Sequence, residues 1–275
     1  MTPRQVMAVV TRELDAQKIS SFIIGAAARD LLAERFGLTP SERKTSDIDF
    51  AILVPDWKAV DGLRKKLLGH PDIKVPSEGS IRFFLAGVPF DIVPFGGIED
   101  QNHVVSWPPH HDTAMSVLGY SEAMKNVVDF EIEKQTVRVL SIEFFVALKL
   151  IAWGMNGARQ RDIVDVGYLI SNYSKINPDA YEYVLENNLD LLELLDHDYA
   201  CAEIGCLGMQ IASKLSGQPK EVIVEILRSE ENIQQMIRDL LSIESLPDSE
   251  SRDKSERKWK SFLRALLLGL NGNKE

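Results

Sequence analysis

The sequence predicts an α+β protein. A small mixed β-sheet flanked by helices occupies residues 1–140, and an all-helical region occupies residues 141–275. Three observations predict it. Short apolar runs, some with two-residue alternation and bounded by glycine, proline and polar clusters, are confined to the first half. From residue 141 onward, apolar positions recur at three- and four-residue spacing instead. The 275 residues are 45% hydrophobic and 26% charged, enough apolar material for a real core.

Val6, Val9, Val10 and Leu14 share one face of a helix over residues 3–17. This segment contains acids and lacks the apolar stretch of an export signal, so it reads as the first helix of a cytoplasmic protein. The apolar run Ser21-Phe22-Ile23-Ile24 ends at Gly25, and residues 26–36 are strong helix formers. The unit is strand, glycine turn, helix. A polar, proline-containing stretch over 37–45 follows. Residues 47–54 then alternate polar and apolar before ending as a buried run, a strand with Asp47 and Asp49 on one face. Residues 57–68 read as a helix. Runs over 80–86 and 88–94 form a hairpin around Ala86-Gly87-Val88-Pro89, and 127–132 pairs with 137–140 in a second.

Ser141 suits an N-cap ahead of a dense helical run over 142–153. Helical periodicity returns over 159–171, 179–187, 189–196, 199–214, 219–229 and 231–242, with Asn177-Pro178 as a start signal. Polar residues 244–254 read as a linker to a last helix over 255–270, packed through Trp259, Phe262, Leu263 and Leu266. No run approaches the roughly 20 apolar residues of a membrane span. Cys201 and Cys206 lie in an apolar helical stretch without metal-site spacing and read as buried thiols. A net charge of −10 argues against a general nucleic-acid coating protein, though a local basic groove remains compatible with it.

The chemistry concentrates in three segments. Two acids at i and i+2 on a strand lie about 7 Å apart at the backbone and repel each other unless a cation sits between them. Magnesium supplies that charge and takes hard oxygen ligands. Asp91 is a single acid inside the apolar run 88–93. If its strand neighbours that of Asp47 and Asp49, three carboxylates meet at one sheet edge, the donor set of a two-metal phosphoryl-transfer site. The Gly25 turn is the second segment. A helix beginning there offers free N–H groups and a positive dipole end to a phosphate. Ala26, Ala27 and Ala28 leave room for it, and Arg29 adds a charged fork.

In order, Gly25-Ala26-Ala27-Ala28-Arg29-Asp30, Asp47-Ile48-Asp49 and Phe90-Asp91-Ile92-Val93 resemble the motifs of the DNA polymerase β nucleotidyltransferase superfamily. The first block is similar to the G-G-x-V-R-D form of the tRNA CCA-adding enzymes. Ala26 stands where a second glycine or a serine is usual, so one phosphate-contacting hydroxyl is absent. Lys149, in Ala147-Leu148-Lys149-Leu150-Ile151-Ala152, and the run from Arg159 through Asp162 to Asp165 resemble the later motifs of AbiEii/MenT-type nucleotidyltransferases. The resemblance covers roughly residues 20–170.

With the break near residue 140, the reading is a catalytic domain over 1–140 and a helical domain over 141–275 that completes the nucleotide site; the residues beyond 170 match no known motif and are the candidate seat of acceptor binding. The resemblance implies catalytic and metal-binding roles for Asp47, Asp49 and Asp91, with two magnesium ions or manganese in their place. Gly25, Ala26 and Arg29 become phosphate-binding residues, Lys149 a triphosphate contact, and Asp162 or Asp165 part of the same site. The partners implied are an NTP, an acceptor that is tRNA, protein or (as in aminoglycoside-modifying relatives) a small molecule, and an antitoxin if the protein is a toxin. No membrane is involved.

Plainer readings stand beside these. Lys149 suits a lysine snorkelling at a helix surface. Asp162 and Asp165 suit local ion pairs with Arg159 and Arg161. His103, His110, His111 and Asp112 read as solvated loop residues rather than a metal site, while Trp107 is placed to border a nucleotide pocket and stack a base. Ala26 also supports a different class of protein, a non-catalytic nucleotide-binding or interaction module on the same fold.

Overall fold

The computed structural model describes residues 1–41, 47–77, 79–108, 114–155 and 159–272. They form two compact units, one of residues 1–35 with 39–141 and one of residues 142–275 with 36–38.

The first unit opens with helix α1 (Pro3–Ala16). Thr2 and Gln5 form a reciprocal capping box there, and Pro3 occupies the first turn, where its missing N–H costs nothing. Strand β1 (Ser21–Ile24) runs into α2 (Gly25–Arg35) without a loop. Then come β2 (Ile48–Val54) and α3 (Trp57–Leu68), whose start is capped by Asp56 accepting from the Ala59 N–H at 2.8 Å. The short β3 (Ile73–Lys74) precedes β4 (Arg82–Leu85) and β5 (Val88–Gly96). A separate ribbon of β6 (Val104–Ser106) and β7 (Ala114–Ser116), then α4 (Tyr120–Met124), lead to β8 (Val127–Ile132) and β9 (Gln135–Leu140).

Seven strands form one mixed sheet in the order β3-β4-β5-β2-β1-β9-β8. The β2–β5 and β1–β9 pairs are parallel and the rest antiparallel. Tight turns set two registers. Ala86 and Gly87, both at positive φ, turn β4 into β5, and Glu133 and Lys134 do the same between β8 and β9. One face of the β4-β5-β2 region is apolar, with Phe50, Phe83, Phe90 and Ile92 in its core and the Phe83 and Phe90 rings stacked at 5.3 Å. The alternation along β5 turns Asp91 to the other face.

The second unit is helical: α5 (Ile142–Met155), α6 (Gln160–Ile170), α7 (Tyr173–Ile176), α8 (Ala180–Asn187), α9 (Leu189–Leu194), α10 (Tyr199–Lys214), α11 (Gln218–Arg228), α12 (Glu230–Leu241) and α13 (Ser249–Asn271). The backbones of α10 and α13 touch where Gly205 and Gly208 meet Gly269. A side chain at Gly208 would sit 2.9 Å from the Leu270 nitrogen and 3.0 Å from the Gly269 Cα. The stretch expected to be a linker over 244–254 is in large part the start of α13. Asp248 caps that helix by accepting from the Ser251 N–H at 2.8 Å, so polar residues 249–254 form exposed first turns rather than irregular chain. The strands β3, β6 and β7 have two or three residues each, too short for alternation to mark them in the sequence.

Candidate active site

Asp47 immediately precedes β2 and Asp49 is its second residue. The parallel register pairs Asp49 with Asp91 of β5, and the antiparallel register on the other side pairs Asp49 with Ile24, the last residue of β1. Registered partners share a face of the sheet one strand spacing apart, about 4.8 Å. Asp49 therefore stands between Asp91 and the chain entering the Gly25 turn, and Asp47, two residues earlier, projects from the same face.

Gly25 has φ of +67°, the left-handed region that glycine enters without strain. Space makes a second demand. A Cβ on Gly25 would overlap the Asp49 carboxylate, lying 3.2 Å from its Cγ and closer still to Oδ2. The turn and the carboxylate are thus packed against each other, at the N-terminus of an eleven-residue helix whose first N–H groups have no intrahelical acceptor. Ala26, Ala27 and Ala28 are buried beneath that end.

Arg82 joins the acids, and the sequence reading passed over it. It faces Asp91 across the β4–β5 hairpin. Its guanidinium donates to both Asp91 oxygens, Nε to Oδ1 at 2.8 Å and Nη2 to Oδ2 at 2.9 Å, while Nη2 also donates to Asp47 Oδ2 at 2.7 Å. The Arg82 side chain is 40% exposed, that of Asp47 35% and that of Asp91 13%. Hydrogen bonding to Asp91, together with the charges of Asp91 and Asp47, outweighs burial and holds the guanidinium's pKa above its usual range. The clue lay in the hairpin. With Ala86 and Gly87 as the turn, counting outward sets position 82 opposite 91, and an arginine between Ile81 and Phe83 is a lone charge in an apolar strand.

Among the described residues, no group of three or more histidine, cysteine, aspartate or glutamate side chains stands close enough to hold a metal ion. At the acid cluster the Arg82 guanidinium lies on Asp47 and Asp91. The donor set itself fits a hard divalent cation, with three carboxylates from two adjoining strands on one face.

Arg29 is fully buried. Its Nε and Nη2 donate to Asp30 Oδ1 at 2.9 and 2.6 Å, so Asp30 orients the arginine. In the helical unit, Lys149 of α5 reaches Asp162 at 2.7 Å and Asp165 at 2.9 Å, both on α6, and Arg159 reaches Asp162 through Nη2 at 2.7 Å. The two carboxylates are essentially inaccessible and the Lys149 side chain is 13% exposed, so this network clasps α5 to α6.

Trp107 is buried edge-on to Trp57, with ring centroids 6.5 Å apart. Together with Arg64, Phe83 and Ile92 these rings line a cleft on the apolar face of the sheet. Because Ile92 and Asp91 point to opposite faces, Trp107 does not border the acid cluster. His103 pairs with Glu99 at 2.7 Å. His110, His111 and Asp112 lie outside the described residues.

Asp47, Asp49 and Asp91 share one sheet face, Asp49 is packed against the glycine turn that opens α2, and the sequence profile that matches the chain is that of a nucleotidyltransferase. The match runs over residues 31–272. The chain belongs to that family, described as "Nucleotidyl transferase AbiEii toxin, Type IV TA system".

No curated protein matches the chain in sequence. Among solved structures it is similar to an antigenic nucleotidyltransferase-like protein from Paracoccidioides brasiliensis, with 23% identity over 61% of this chain and 75% of that one and a TM-score of 0.41. It is also similar to the antibiotic-resistance factor ANT(2'')-Ia, with 14% identity, 72% and 99% coverage and a TM-score of 0.38. A CCA-adding enzyme solved in complex with ATP aligns at 15% identity over 92% of this chain and 65% of that one, with a TM-score of 0.28. Likenesses this distant carry no argument about substrate. Among the described residues no helix is long and apolar enough to cross a membrane.

Proposed function

We propose that the protein transfers a nucleoside monophosphate from an NTP to an acceptor hydroxyl, releasing pyrophosphate, in a magnesium-dependent reaction centred on Asp47, Asp49 and Asp91. The observation that carries this reading is the position of Asp49, registered beside Asp91 on one side and packed against the Gly25 turn on the other. A metal-binding carboxylate and a phosphate-binding helix end are thereby held within one side chain of each other.

Asp47, Asp49 and Asp91 would hold two magnesium ions, or manganese in their place, which supply charge neutralisation on the triphosphate and acidify the acceptor hydroxyl. The Gly25 and Ala26 amides at the start of α2 bind and orient the phosphates. Asp91 orients the acceptor hydroxyl and takes its proton as the oxygen attacks the α-phosphorus. The bond from the α-phosphorus to the bridging oxygen breaks, and its electron pair leaves with pyrophosphate. The phosphate-binding role of Arg29, which is fully buried, rests on the family resemblance. The roles of Lys149, Asp162 and Asp165 in triphosphate handling rest on the family resemblance. The helical unit is the proposed source of acceptor choice.

The acceptor is a tRNA, a protein or a small molecule. The family description motivates a toxin with a companion antitoxin, and the cytoplasm is its proposed location. Incubation with α-labelled NTPs and each class of acceptor is the test. Wild type should label one class, and the Asp47→Ala, Asp49→Ala double variant should label none; equal labelling by both removes the assignment. Growth arrest on expression that disappears with Asp47→Ala is the result expected of a toxin. A second reading, a non-catalytic nucleotide-binding module, is favoured by Ala26, which brings no hydroxyl to the turn. NTP binding that needs neither magnesium nor Asp49 would support it.

A further inference from the structure

We infer that Arg82 is a built-in counter-ion for the acid cluster, holding Asp47 and Asp91 in the metal-free protein and giving them up when a divalent cation binds. The inference rests on the proposed metal-binding role of these carboxylates. It extends that role to a residue outside the motif acids.

Geometry carries the argument. The Arg82 guanidinium engages both oxygens of Asp91 and one oxygen of Asp47, at 2.7 to 2.9 Å. A planar fork that spans two carboxylates would compete with a divalent cation for the same oxygen lone pairs. Without a cation, carboxylates gathered on one sheet face repel one another, and the guanidinium offsets part of that repulsion. The arginine is free to leave. Its side chain is 40% exposed, and it hangs from β4, whose backbone ladder to β5 stays intact when the side chain turns outward. Asp91 is far less exposed at 13%, so of the two partners the arginine is the one that can move.

Two consequences follow. Divalent binding and the Arg82 pairing exclude each other, so removing the guanidinium should tighten cation binding. The metal-free protein should lose stability with the same change, because Asp91 and Asp47 then lose their charge-assisted pairing with the guanidinium.

The experiment measures Mn²⁺ affinity without nucleotide, by titration calorimetry and by the paramagnetic resonance of free Mn²⁺, for wild type, Arg82→Gln and Arg82→Lys. Arg82→Gln should bind Mn²⁺ on the order of tenfold more tightly, the scale of losing one competing charge-assisted pair. Arg82→Lys, which keeps the charge but loses the fork, should fall between. The melting temperature of Arg82→Gln should lie below that of wild type without Mn²⁺ and approach it with saturating Mn²⁺. Unchanged or weaker Mn²⁺ binding in Arg82→Gln overturns the inference. If that variant does not fold, Arg82→Lys decides by the same comparison. Labelled-NTP transfer on the same preparations separates the two claims. Active wild type with no gain in Mn²⁺ affinity sinks the counter-ion role alone, whereas wild type that neither binds Mn²⁺ nor transfers label sinks the metal-dependent reading and this inference with it.

Discussion

Gly25→Ala puts the contact between the glycine turn and Asp49 of β2 under direct strain. The backbone at position 25 has φ of +67°, where an L-residue costs roughly 1–2 kcal/mol relative to glycine. The new methyl carbon would also lie 3.2 Å from the Asp49 Cγ and overlap Oδ2. Restoring van der Waals contact displaces the Asp49 carboxylate by about 1 Å, or forces the turn away by a similar amount. A displacement of about 1 Å at a catalytic group costs on the order of a hundredfold in rate. The global effect is smaller, with melting lowered by roughly 2–8 °C for a chain of this size. The assay pairs label transfer from an α-labelled NTP with thermal unfolding and Mn²⁺ titration on one preparation. The expected outcome is a folded protein with about a hundredfold less transfer and weakened Mn²⁺ binding. A folded Gly25→Ala protein with undiminished transfer would refute the reasoning, because the turn and Asp49 would then not depend on each other.

Lys149→Met leaves Asp162 and Asp165 buried with less compensation and should destabilise the protein by about 3–5 kcal/mol in denaturant titration; adding Asp165→Asn should recover part of that loss. If Lys149→Met instead abolishes transfer while leaving the denaturant midpoint unchanged, the lysine serves the nucleotide rather than the α5–α6 clasp. Gly208→Ala should cost roughly 1–3 kcal/mol by prising α10 from α13, and unchanged stability would show that these helices can separate without penalty. Burial, then the charges of Glu143 and Glu203, raise the Cys206 thiol to about 11, and burial with Asp198 raises Cys201 to about 12. Near pH 8 about one Cys206 in a thousand is thiolate, so iodoacetamide should label neither cysteine in the native protein and both in urea. Rapid native labelling would contradict this packing.

Legibility in the sequence followed the range of the signal. The Gly25 turn, the Asp47–Asp49 alternation and the helix over residues 57–68 are local patterns, and the structure builds each where the pattern lies. The pairing of β5 with β2 is a tertiary fact. The sequence could state what would follow if Asp91 neighboured Asp49, but not that the two strands are registered residue for residue. Arg82 was missed for a related reason. A lone arginine in an apolar strand looks like a solvated edge residue until the hairpin register is counted and places it opposite Asp91. The packing of Trp107 was not legible, because loop position says nothing about which face of a sheet a ring will cover, and here it packs on the apolar one. The polar residues 249–254 read as linker because their composition outweighed the single capping aspartate, Asp248, that starts α13.

Asp47, Asp49 and Asp91 are the proposed cation-dependent nucleotidyl-transfer centre, served by the Gly25 turn. A crystal structure with Mg²⁺ and a non-hydrolysable NTP tests it most directly. The prediction is density for a divalent ion on Asp49 and at least one of Asp47 and Asp91, phosphate oxygens at the Gly25–Ala26 amides, and Arg82 swung off the carboxylates. A nucleotide bound elsewhere, with the Arg82 pairings intact and no ion at Asp49, would contradict it.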